Sequence, residues 1–148
     1  RSCVMTDKEK AEKVVDLMFN NDPFSQWLGI MRVGADKGTA KLQMTIRKEM
    51  LNGFSIAHGG ITYSLADSCL AFASNSHGRQ SLSVETSISH TCPLYEGDVI
   101  TALAEEISLT HKIGIYHIKI INQKDQSVAF FKGTVYRTSK DWDLNKEN

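Results

Sequence analysis

The 148-residue sequence has no excess charge of either sign, no paired-cysteine motif and no long apolar run, and each absence removes a class of function. Lysine plus arginine and aspartate plus glutamate both total 17, so no net field draws the chain to nucleic acid or an anionic membrane. An anionic ligand has to be met by local charges. The cysteines, Cys3, Cys69 and Cys92, are odd in number and far apart, with no C-x-x-C pair, which reads as reduced thiols in a cytosol. Cys69 lies in an apolar run and is assigned to the core. The sequence shows no signal peptide, no stretch that could cross a bilayer and no N-x-S/T acceptor, so a cytoplasmic location is expected. It also lacks a G-x-S-x-G elbow, an H-E-x-x-H pair and clustered Cys/His spacing, which argues against a serine hydrolase and a catalytic zinc.

The length fits one domain over residues 1–148. Residues 1–4, ahead of Met5, read as an expression remnant, and the polar tail from Lys140 to Asn148 is expected to be flexible. Between them, Asp7 to Asn20 carries Ala11, Val14, Val15 and Met18 at helical spacing, with Thr6 or Asp7 as cap. A turn over Phe24 to Leu28 leads into a strand from Ile30 to Ala35, and Asp36-Lys37-Gly38 has hairpin chemistry. Two-residue alternation predicts strands over Thr39 to Arg47, Leu82 to His90, Val99 to Leu109, Ile113 to Ile121 and Val128 to Tyr136. Short polar connections at 111–114 and 122–127 make the later strands antiparallel neighbours.

The stretch from Ala57 to Ser76 breaks this pattern. It is apolar on all sides at helical period, the mark of a buried helix. With nothing else in the chain able to cover it, the prediction is α+β: a curved antiparallel sheet wrapped around one long helix, plus an N-terminal helix.

Chemistry is expected around that helix. Asp67 is the only charged side chain between His58 and Ser76, and a buried carboxylate needs a reason. It reads either as a catalytic group or as an aspartate bonded to a nearby serine or facing a wet crevice. His58-Gly59-Gly60 opens the helix, where two glycines cost helix propensity of about 1 kcal/mol each. They make either a tight turn or a place where a ligand approaches unsatisfied N–H groups that can receive charge from a carbonyl oxygen. Asp67 follows Gly60 by seven positions, on nearly the same face but about 10.5 Å along the axis. One reacting carbon cannot touch both, so if they serve one substrate they come from two subunits across a two-fold axis. Asn52-Gly53 is a turn former whose amide could also hold a water or carbonyl. Ser83, placed on the polar side of its strand with Glu85, Ser87 and Ser89, could hold that water or simply face solvent.

Met50-Leu51-Asn52-Gly53, His58-Gly59-Gly60 and Ser64-Leu65-Ala66-Asp67 together resemble the hotdog-fold thioesterases, most closely the PaaI type associated with phenylacetate degradation, over roughly Trp27 to Thr138. The resemblance implies a homodimer or dimer of dimers that hydrolyses acyl-coenzyme A, an aryl-acetyl group included, without a metal or redox cofactor. It makes Asp67 the catalytic carboxylate and Gly59, with Gly60 beside it, the donor to the thioester carbonyl. Asn52 and His58 would orient substrate or the start of the helix, and Ser83 would help hold the attacking water. Coenzyme A phosphates would need local cations, for which His111, Lys112, Arg137 and Lys140 are candidates, as against ordinary surface charge. Competing readings are a non-catalytic acyl-CoA binding module and a hydratase on the same fold. The first lacks an accompanying DNA-binding segment and the second lacks a partner acid or histidine.

Overall fold

A computed structural model describes residues 4–145. Its elements are α1 (Asp7–Asn20), α2 (Pro23–Trp27), β1 (Met31–Asp36), β2 (Thr39–Thr45), a short 3-10 turn (Lys48–Met50), α3 (Gly59–Asn75), β3 (Arg79–His90), β4 (Val99–Leu109), β5 (Ile113–Ile121) and β6 (Ser127–Asp141). The helix boundaries of α1 follow from Thr6, whose hydroxyl accepts the Glu9 N–H at 3.1 Å. The expected turn after Asn21 is instead one helical turn, because the Asp22 carboxylate accepts the Ser25 N–H at 2.9 Å and Pro23 occupies the first helical position.

Six antiparallel strands form one sheet in the order β1-β2-β4-β5-β6-β3. The hairpins read from sequence are present. What alternation could not show is that β3, coming straight out of α3, crosses to the far edge beside β6 and leaves β2 to pair with β4. Helix α3 packs on β2, β3, β4, β5 and β6, which explains its all-round apolarity. Leu65, Ala66, Cys69, Phe72 and Ala73 are fully buried along it. At Gly133 of β6 a Cβ would clash with Leu70 Cδ2, so the glycine makes room for that side chain.

Two departures from expectation concern the ends of the sheet. Residues 140–145 do not form a loose tail: β6 runs to Asp141, the Trp142 N–H donates to the Gly78 carbonyl at 2.8 Å, and the Trp142 indole N–H donates to Asn75 Oδ1 at 2.9 Å. Composition alone hid this because one anchored tryptophan outweighs its polar neighbours. Residues 146–148, like Cys3, lie outside the described residues.

The other departure is a bulge in β3. Ser83 pairs with Val135 but Glu85 with Thr134, so Val84 is extra and alternation changes phase there. Directly paired residues share a face. Ser83 therefore lies on the α3 side with buried Val135, while Glu85, Ser87 and Ser89 lie on the outer side. The sequence-based grouping of these four residues on one face is corrected accordingly.

Gly133→Ala should lower stability by about 1–3 kcal/mol through overpacking against Leu70. Because Leu70→Ala vacates the same space, the double variant should be less destabilised than the sum of the singles when compared by urea denaturation.

Candidate functional site

The start of α3 is built by His58, whose Nδ1 accepts the Gly60 N–H at 2.9 Å while its own N–H donates to the Met50 carbonyl at 2.9 Å. Acceptance at Nδ1 puts the ring proton on Nε2. Of the two expected donors, Gly60 is thus already engaged. The Gly59 N–H, by contrast, has no acceptor among the described residues. The His90 ring stands beside Gly59, where a Cβ would come within 3.2 Å of its Cε1. A side chain at position 59 would therefore have to displace the His90 ring by a few tenths of an ångström.

Asn52 serves the turn that precedes the helix. Its Oδ1 accepts the N–H groups of Phe54 at 2.8 Å and Ile56 at 3.4 Å, and its own N–H donates to the Ile56 carbonyl at 2.8 Å. Ser55 in this turn has φ 61°, a left-handed conformation uncommon outside glycine, asparagine and aspartate. The turn leaves Asn52 Nδ2 without an acceptor among the described residues and sets Asn52 beside Gly59 in a cavity of about 390 Å³, with Thr62, His90 and Cys92 on its walls. The turn-forming reading of Asn-Gly is what these bonds show, and the same residue turns its side chain towards the Gly59 cavity.

Asp67 faces a different cavity, of about 330 Å³, lined by Met18, Leu70, Ser83, Val135 and Trp142 among others. It is half-buried, and burial raises its carboxyl above the ordinary aspartate range. No side chain or backbone N–H among the described residues hydrogen-bonds it. The adjacent serine is occupied elsewhere: Ser68 Oγ meets Ser25 Oγ at 2.8 Å, and Ser25 in turn donates to Asp22 at 2.6 Å. The serine-bonded reading of Asp67 is therefore not what the fold does. The bulge in β3 turns Ser83 into the Asp67 cavity, so these two residues are brought together while Asn52, His58 and Gly59 are gathered around the other end of the helix.

The basic candidates divide. The Arg137 N–H donates to the Lys112 carbonyl at 2.7 Å and its guanidinium to the Thr110 carbonyl at 2.7 Å, while Arg79 reaches His111 Nδ1 at 3.4 Å. His111, Lys112 and Arg137 thus converge on the β4–β5 turn, whereas Lys140 stands exposed further along β6. Burial, followed by the charge of Arg79, lowers the Arg137 pKa. Arg79 was not anticipated because it precedes the alternating part of β3. Met18, His90 and Trp142 were also missed as wall residues. A tryptophan in a tail that is otherwise polar except for Leu144 was the available signal for the last of them.

An antiparallel sheet wrapped around one long central helix defines a hotdog fold. The chain belongs to the thioesterase superfamily, whose family model matches residues 54–129. It is 39% identical to a candidate esterase of Archaeoglobus fulgidus over 90% of this chain and 87% of that protein. It is 37% identical to the acyl-coenzyme A thioesterase PaaI of Escherichia coli K12 over 86% of this chain and 91% of that protein. The solved structure of the E. coli PaaI protein from the phenylacetic acid degradation operon superposes with a TM-score of 0.90 at 34% identity, covering 92% of this chain and 99% of that one.

The raised Asp67 pKa has a stability consequence. The unfolded chain releases this proton first, so stability is greatest below the unfolded value near ~3.9 and falls as pH rises through the folded value. Asp67→Asn should therefore melt above the parent at pH 7, with the difference shrinking towards pH 4, as measured by thermal denaturation.

Proposed function

We propose that the protein is a cytoplasmic acyl-CoA thioesterase that cleaves an aryl-acetyl or related acyl-CoA to the free acid and coenzyme A, in one hotdog catalytic domain that works as a homodimer or dimer of dimers. The observation that carries this is the pair of half-sites on α3. An unengaged Gly59 N–H lies in one cavity, and a half-buried Asp67 without hydrogen bonds lies in another. Neither is sufficient alone for acyl transfer, and the likeness to the E. coli thioesterase supplies the substrate class.

In the proposed complex the thioester oxygen takes the Gly59 N–H of one protomer, with the Asn52 amide beside it and His58 holding the helix start in place. Charge that develops on this oxygen is stabilised by the aimed donor and the positive end of the helix. Asp67 of the other protomer stands over the carbonyl carbon. It either takes a proton from an attacking water held by Ser83, or attacks directly to give an anhydride that water then opens. In both routes the C–S bond breaks and coenzyme A leaves as the thiolate. In a single turnover in ¹⁸O water, label in Asp67 together with an unlabelled acid product identifies direct attack with opening of the anhydride at the Asp67 carbonyl, whereas general-base hydrolysis labels only the acid.

The dimer is supported by β3, an edge strand that exposes Leu82 and Val84 at 67% and 63% of their surface, an uncovered apolar edge of the kind that pairs with another chain. The His111, Lys112, Arg137 and Lys140 group, with Arg79, is proposed to meet the coenzyme A phosphates. The cytoplasmic assignment is supported by the unpaired thiols of Cys69 and Cys92.

Asp67→Asn and Asp67→Ala should each lower kcat by about 10²–10⁴-fold in a thiol-release assay over aryl and aliphatic acyl-CoAs, with the fold retained by circular dichroism. Shared sites make a sharper demand. Neither Asp67→Ala nor Asn52→Ala protomers should be active alone, yet unfolding and refolding them together should restore activity, because one site of each mixed dimer is intact. A fully active monomer in sedimentation would overturn the shared-site arrangement.

A further inference from the structure

The cavity at Asp67 does not end in solid protein. Beyond it lies a second cavity of about 430 Å³, and Met18, Gln80 and Trp142 line both. Leu17 and Met18 of α1 give the second cavity an apolar side, while Asn21, Asp22 and Asp143 stand around it as a polar rim. The first cavity, at about 330 Å³, is near the small end of the ~300–1,000 Å³ range of ligand sites.

Trp142 is held in this position at two points, by its backbone N–H on the Gly78 carbonyl at 2.8 Å and by its indole N–H on Asn75 Oδ1 at 2.9 Å. Asn75 is itself immobilised, since Oδ1 also accepts the Ser81 N–H at 2.9 Å and Nδ2 donates to the carbonyls of Ala71 at 2.8 Å and Ser81 at 3.0 Å. A large ring fastened at both its backbone and its edge is a rigid partition. Resting on the thioesterase reading above, we infer that Trp142 is the end wall of the acyl site and sets the length of acyl group accepted, so that compact acyl groups fit against it and extended chains are turned away. The partition separates Asp67 from space that would otherwise accommodate the far end of a longer chain.

The test compares hexanoyl-CoA with decanoyl-CoA on the full chain, reading kcat and KM separately. Each methylene newly buried is worth roughly fourfold, so Trp142→Ala should raise kcat/KM for decanoyl-CoA relative to hexanoyl-CoA by about tenfold or more. The change should appear mainly in KM, because the wall touches the chain and not the reacting carbonyl. Trp142→Phe, which keeps a ring, should leave the ratio near that of the parent, and adding Met18→Trp to Trp142→Ala should restore the block. If Trp142→Ala does not fold, Trp142→Leu carries the same comparison.

A folded Trp142→Ala with the parent's ratio would overturn the inference. So would equal loss on both substrates, the signature of a residue that only supports the fold. The same ratio is read without turnover from the calorimetric Kd values of hexyl-CoA and decyl-CoA thioethers. A parent that releases no thiol from any acyl-CoA therefore defeats the thioesterase reading, while an unchanged binding ratio defeats this one.

Discussion

Burying a helix inside a sheet forces the protein to deal with the helix's polar ends, and the two ends of α3 are treated in opposite ways. Unsatisfied N–H and C=O groups at helix termini are costly when removed from water. At the C-terminal end side chains fill the gap: Asn75 Nδ2 and Ser74 Oγ donate to the Ala71 carbonyl and Ser76 Oγ to that of Ala73. At the N-terminal end His58 engages one N–H and leaves its neighbour open towards a cavity. The proposed carbonyl site lies where satisfaction stops.

The same economy governs the middle of the helix. The core could accept an alanine or leucine at position 67 without cost in desolvation, yet it carries an aspartate whose neighbours offer it no hydrogen bond. Stability is given up there, whereas the hydroxyls of nearby Ser25 and Ser68 are paired. Sites that violate local rules amid regions that obey them are where chemistry is to be sought.

Much of this was legible in the sequence, for definable reasons. Periodicity exposed α1, α3, β4 and β5 because each has one environment along its length, and Asp67 stood out because it is the only charged side chain in a mostly apolar helix. The separation of Asp67 from the helix start followed from helical rise alone. What escaped depended on contacts distant in the chain. The destination of β3 is set by the crossing of α3, the engagement of Gly60 depends on the rotamer of His58, and the order of residues 140–145 rests on Asn75, 67 positions before Trp142. The side on which Ser83 falls turns on one unpaired residue, which no alternation pattern reports.

That residue, Val84, behaves as a phase offset within the strand. Just upstream of it Ser81 and Ser83 face the helix, and downstream the inward positions are Thr86 and Ile88, of the opposite parity. Loss of the Val84 codon would join Ser83 directly to Glu85 and leave Ser81 and Ser83 inward and Glu85 outward as before, whereas loss of a paired residue on either side would force part of the strand to exchange faces. The strand is thus expected to tolerate removal of that one residue better than removal of its paired neighbours, and lineages that differ in the length of β3 are expected to differ at this position.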